Sequence, residues 1–161
     1  MKSIFPIASV QLALRASVAA GLALAAAQVL GLRHPLYAAI AAVIVTDLSP
    51  RESTQLGRRR LVATVVGAIC GASLSMVLQP GAWAVGASIL LAMLASHLVR
   101  APEGAKVAGY ISGIVVMARD VDPWFYAFFR FVETALGISI AWAISYVPKL
   151  IKTEEPESRP S

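Results

Sequence analysis

Charge is scarce in this sequence. Only 14% of its 161 residues are charged, against about 25% in ordinary soluble domains. The apolar share of 58% is more than a soluble domain of this size could hide. The chain therefore reads as an integral membrane protein with the lipid bilayer as its surroundings. The net charge of +5 then does not point to nucleic acid; what matters is which side of the membrane holds the positive residues. Cysteine is nearly absent. Cys70 alone cannot form an intramolecular disulfide, and no Cys or His stands at metal-ligand spacing from it, so it reads as a small core residue. The two histidines, His34 and His97, are isolated and read as helix-end residues. No nucleophile–base set, phosphate loop or metal cluster is present, so neither catalysis nor a cofactor is expected.

Apolar runs fill most of the chain. Six are read, at about 9–32, 35–48, 61–79, 82–99, 105–118 and 125–147. The first, third, fourth and sixth approach the ~20 residues of a spanning helix, whereas the second and fifth are too short to cross a ~30 Å core alone. The start, "MKSIFPIASV" with "LALAAAQ" further on, has the charge and small residues of a signal peptide. Arg15 interrupts its apolar stretch, so the segment is read as a retained first helix. Lys2, Arg51, Arg58, Arg59, Arg60, Arg100, Lys106, Lys149, Lys152 and Arg159 fall on one side, and only Arg33 and Arg119 on the other. This asymmetry predicts cytoplasmic termini in a plasma (inner) membrane. The domain expected is 1–147, followed by a disordered cytoplasmic tail at 148–161, "KTEEPESRPS" at its end.

The sequence also repeats itself. "RRRLVATVVGAICGASLSM" from Arg58 aligns with "FFRFVETALGISIAWAISY" from Phe128, so that Arg60, Thr64, Gly67 and Ser75 meet Arg130, Thr134, Gly137 and Ser145. The same offset pairs Leu24 with Leu94, Ala38 with Ala108 and Ile44 with Ile114. Segments one to three (about 9–79) thus map onto four to six (about 82–147). Three spans is an odd number, so the second half must enter the membrane upside down. The expected fold is all-α, six transmembrane helices in two inverted three-helix repeats, an arrangement frequent in transporters. Small residues recur every fourth position at Ala63, Gly67, Gly71 and Ser75, and again at Gly137, Ala141 and Ser145 behind Glu133, a pattern that lets helix backbones approach closely.

"RHPLYAAIAAVIV" and "GRRRLVATVVGAICGA" resemble the fusaric acid resistance and aromatic acid exporter superfamily. His34, Pro35 and Ala38 match its His-Pro-x-Trp-Ala-like entry to the second helix, with Tyr37 at the tryptophan position. Arg60, Thr64 and Gly67 match its Arg-x-x-Gly-Thr-x-x-Gly-like opening of the third, with Ala63 in place of glycine. The resemblance spans about 10–147. It implies a six-helix membrane module exporting aromatic carboxylates or related organic anions, distantly similar to plant malate channels. Many bacterial members carry two modules, so a homo-oligomer is expected here.

A small organic anion needs a positive partner away from water. Arg130 is the leading candidate, either holding a carboxylate bidentately or snorkelling beside an aromatic belt, "PWFYAFF". Glu133, three residues on, can touch Arg130, and its protonation would free the guanidinium for substrate. Arg60 is read as a topology signal and Arg15 as a snorkelling residue, or both as charges near the two mouths that attract anions. Thr64 and Thr134 follow the repeated arginines. Thr46 and Asp47 end short segment two, and Tyr110 and Ser112 lie in short segment five, where repeat transporters place midplane sites. Asp47 reads equally as a loop or capping residue of "DLSPRES". Export of organic anions leads the functional readings. An uncoupled anion channel and a non-transporting membrane subunit are the rivals.

Overall fold

The structure, a computed structural model, describes residues 7–118 and 122–147. The predicted tail at 148–161, and with it Lys149, Lys152 and Arg159, lies outside the described residues, as do Lys2 and Arg119. Among the described residues there are six α-helices and no strand. They are α1 (Ile7–Val29), α2 (Leu36–Val45), α3 (Pro50–Ser75), α4 (Ala82–Leu98), α5 (Ala105–Met117) and α6 (Pro123–Ser145), with a single 3-10 turn at Pro102–Gly104 before α5.

Local chemistry sets most of these boundaries. Asp122 caps α6, its Oδ1 accepting from the Trp124 and Phe125 N–H groups at 3.0 Å, and Pro123 follows at the first helical position; such a cap contributes about 1 kcal/mol. The third helix begins eleven residues before the expected start at 61. Pro50 occupies its first turn, and the charged stretch Arg51–Arg60 is helical rather than loop. Of the segments expected to reach spanning length, α1 and α6 do so as apolar helices of 23 residues each, α4 has 17 residues, and α3 reaches 26 only by taking in that charged stretch.

Each half closes its first helix in the same way. The Leu32 N–H donates to the Ala27 carbonyl and the Ala101 N–H to the Ser96 carbonyl, the long bond of a Schellman cap. The residue bent into the left-handed region is Gly31 in one case, with φ 65°, and Arg100 in the other, with φ 57°.

The helix pairings share the regularity. Helix α1 packs on α2 and α6, while α4 packs on α5 and α3. The central contacts are α3 with α5, α2 with α6, and α3 with α6. Exchanging α1 with α4, α2 with α5 and α3 with α6 leaves this set of helix–helix partners unchanged. The close approaches obey the same exchange. A side chain at Gly67 would collide with the Ala108 backbone carbonyl, and one at Gly137 with that of Ala38.

The core is built from small residues and the surface from large ones. Ala19, Ala23, Ala27, Ala38, Ala42 and Ala141 are buried around Val45 and Ile138. Leu14, Val18, Leu22, Leu90, Leu91, Leu94 and Phe128 are exposed. Water would penalise this inversion, whereas an apolar solvent or a partner surface would not.

Candidate functional site

Arg130 lies seven residues beyond the start of α6, about 10 Å along the helix, on the face carrying Glu133, Thr134, Gly137 and Ala141. That face is buried because Gly137 brings α6 hard against α2. The guanidinium is carried inward with it, and Arg130 is 1% exposed. Its central carbon stands 3.1 Å from the centroid of the Tyr37 ring. A cation over an aromatic face is stabilised by about 2 kcal/mol when desolvated, but the ring takes no N–H bond. Among the described residues Nε and Nη1 have no hydrogen-bond partner. Buried guanidinium donors ordinarily find acceptors, so this group is equipped for an anion.

Glu133 is fully buried one turn away. The expected Arg130–Glu133 ion pair does not form; among the described residues the one ion pair is Arg59 with Glu103, at 3.3 Å. Glu133 Oε1 instead accepts from the His34 backbone N–H at 2.8 Å, and Oε2 has no partner. The carboxylate thus ties α6 to the turn before α2. The reason is geometric: that turn presents an amide that no helix satisfies, and Glu133 is the acceptor beside it. The His34 ring meets Tyr126 at 5.3 Å and Tyr37 at 5.8 Å between centroids. Tyr126 also engages the Tyr37 side chain. Burial first, then Arg130 and Arg33, hold the His34 imidazole below its ordinary value.

Arg60 is the counterpart in α3. It lies about 15 Å into its helix and is 5% exposed. Nε and Nη1 lack partners here too, and the guanidinium carbon lies 5.8 Å from the Tyr110 ring centroid. Tyr110 is also within charge-interaction range of Arg130. The two repeated arginines, entering from opposite ends of the bundle, therefore approach one tyrosine. A cleft of about 960 Å³ opens beside them, lined by Arg33, His34, Ile89, Tyr110, Gly113 and Tyr126 among others. Tyr110 and Tyr126 line it, and neither Tyr37 nor Arg130 does.

The other candidates scatter. Arg15 is buried, but at the far end of the bundle, where Nη2 donates to the Val147 carbonyl at 2.6 Å. Thr46 and Thr64 return their hydroxyls to their own helices, on Ala42 and Arg60. Asp47 is a turn residue, with Oδ1 accepting from the Ser49 N–H at 3.0 Å. Ser112 donates to the Ser88 carbonyl and joins α5 to α4. Thr134 is buried below Arg130. The structure thus brings Arg130, Glu133, Arg60 and Tyr110 together and leaves Arg15, Thr46 and Asp47 elsewhere. Sequence reasoning missed Tyr37, Tyr126 and the backbone of His34. The one signal for Tyr37 was its place at the tryptophan position of the second-helix motif. Among the described residues no three His, Cys, Asp or Glu side chains converge as metal ligands.

No curated protein and no solved structure matches the chain. A family model described as fusaric acid resistance protein-like matches residues 22–144, a stretch that contains α2 to α5 entire, both repeated arginines, and Tyr37, Tyr110 and Tyr126. The chain belongs to the fusaric acid resistance protein-like family, membrane transport and resistance proteins in general.

Proposed function

We propose that the chain moves organic anions, aromatic carboxylates above all, across the plasma (inner) membrane. In this reading it is a multi-pass protein with cytoplasmic termini, and its two halves are inverted repeats working as a homo-oligomer rather than as an enzyme. One observation carries the substrate class: a fully buried guanidinium, Arg130, with unpartnered donors and aromatic rings around it. A carboxylate would accept from the free Nε–H or Nη1–H, with Nη2 as the second donor of the bidentate pair in either case, and its ring would lie among Tyr37, Tyr126 and His34. Arg60 offers a second free guanidinium on the other side of Tyr110. Helix pairings unchanged by exchanging the halves support the repeat, and the apolar exterior supports the membrane and the oligomer. Because Tyr37 covers Arg130, these rings must move before substrate can reach it. Glu133 anchors the turn bearing His34, so the freeing of Arg130 by protonation of Glu133 is no part of this reading.

The test is efflux of benzoate from liposomes containing only this protein. Wild type is expected to pass it. Arg130→Ala should lower the rate about 10- to 100-fold, the worth of a charged hydrogen bond, and Arg130→Lys should recover part of it without the bidentate geometry. No flux of any carboxylate from well-folded wild-type protein overturns the reading in favour of a non-transporting subunit. Cysteines placed at 79–82 should label from outside and those at 51–58 from inside; the reverse pattern overturns the orientation.

A further inference from the structure

A second cleft, of about 920 Å³, lies at the end of the bundle that carries the basic residues. Arg51, Arg58 and Arg59 reach it from α3, Arg100 and Glu103 from the α4–α5 turn, and Tyr146 from the end of α6. It is separate from the Arg60–Arg130 site. On α3 the buried stripe is Ser53, Gly57, Arg60 and Thr64, whereas Arg51, Gln55, Arg58 and Val62 fall on the opposite side of the helix at 100° per residue. Arg59 is paired with Glu103; among the described residues Arg51, Arg58 and Arg100 have no ion-pair partner.

Arg100 adds an independent observation. It holds φ 57° at the helix end where the other half of the chain uses Gly31. A residue bearing a Cβ in the left-handed region is strained where glycine is not, and such strain persists where a side chain is wanted. Here it delivers a guanidinium to the cleft. The surface beside it is apolar. Leu98, Leu94, Leu91 and Leu90 are exposed along α4, and Val62, Val65 and Ile69 along α3. Three free guanidiniums beneath two apolar helix faces match a molecule with a phosphate at one end and acyl chains at the other.

We propose that this cleft binds the headgroup of an anionic phospholipid, with Arg51, Arg58 and Arg100 on the phosphate and the exposed leucines of α4 along an acyl chain. Binding is measured as the change in Tm of the full chain in neutral detergent. Phosphatidylglycerol, phosphatidylcholine and inorganic phosphate are added separately. Phosphatidylglycerol should raise Tm by about 5 °C over phosphatidylcholine. Arg58→Ala and Arg100→Gly should remove that increment, while Lys106→Ala, the same charge change at the same end but outside the cleft, should keep it. Arg100→Gly should also raise the lipid-free Tm by relieving the backbone, so that its two effects have opposite signs and misfolding cannot imitate them. An unchanged phosphatidylglycerol increment in Arg100→Gly overturns the proposal. An Arg100-dependent increment with inorganic phosphate but none with the lipid overturns the lipid in favour of a soluble phosphate. None of these readings depends on benzoate flux, so this inference and the transport reading fail separately.

Discussion

Positions 63 and 133 occupy the same place in the two halves, and each meets the equivalent residue of the opposite segment. In the first half Ala63 lies against Gly104. In the second half Glu133 accepts from the His34 backbone amide, and 34 is the counterpart of 104 at the repeat offset. One scaffold thus supports two kinds of contact. The Ala63–Gly104 contact is apolar and close, because the Gly104 amide is already given to the Ala101 carbonyl at 3.1 Å. The Glu133–His34 contact is polar, because no helix uses the His34 amide. The difference concentrates the polar chemistry in the second half. Arg130 has a carboxylate, an imidazole and three tyrosines within reach, whereas Arg60 has Tyr110.

The largest expected effect tests the equivalence itself. Gly67→Ala and Gly137→Ala each drive a Cβ into a backbone carbonyl, and each should cost about 3 kcal/mol of stability. Gly86→Ala, where a Cβ would meet nothing within 4 Å, should instead gain up to about 1 kcal/mol. Thermal retention of monodisperse protein measures all three. Tolerance at one of the first two sites alone would break the comparison.

Reciprocal changes at 63 and 133 come next. Glu133→Ala leaves the His34 amide unpaired and should cost about 1–3 kcal/mol, whereas Glu133→Gln keeps an acceptor and should cost less than about 1 kcal/mol. Ala63→Glu adds a carboxylate where no free amide waits, and should destabilise rather than recreate the second site. Equal denaturation midpoints for Glu133→Ala and Glu133→Gln would show that the His34 bond contributes little.

The smallest effect is a pH dependence that only the Glu133–His34 contact can have, since Gly104 cannot titrate. His34 faces Arg33, Arg130, Tyr37 and Tyr126, with Glu133 on its own amide. Its imidazole is held below the ordinary value of 6.5. As pH falls through that value the unfolded chain takes up the proton first, so stability present above it is lost below it. Between pH 7 and pH 5, Tm should fall more steeply in wild type than in His34→Gln. Parallel curves would remove His34 from the account.

Much of the frame was legible without coordinates. Hydropathy located all six helices, because apolar runs of this length have few alternatives. The repeated Arg-x3-Thr-x2-Gly located both arginines and both packing glycines. The beginning of α3 was not legible, since "SPRESTQLGRRR" carries capping and charge signals that suit either a loop or a solvated helix. The partner of Glu133 was not legible either. Spacing on one helix put Arg130 within its reach, and nothing along the chain indicated an unsatisfied amide 99 residues away.

The sequence by itself determined that the chain is helical and rich in apolar residues, and that an Arg-x3-Thr-x2-Gly pattern recurs in its third and last helices. These follow from composition and periodicity, which act locally. Only the tertiary structure decided what the arginines face. Where α3 and α6 enter from opposite ends, their arginines converge on Tyr110. Where Gly137 lets α2 close on α6, Tyr37 covers Arg130 and the turn at His34 takes Glu133. Those outcomes depend on interhelical distance, which sequence spacing does not encode.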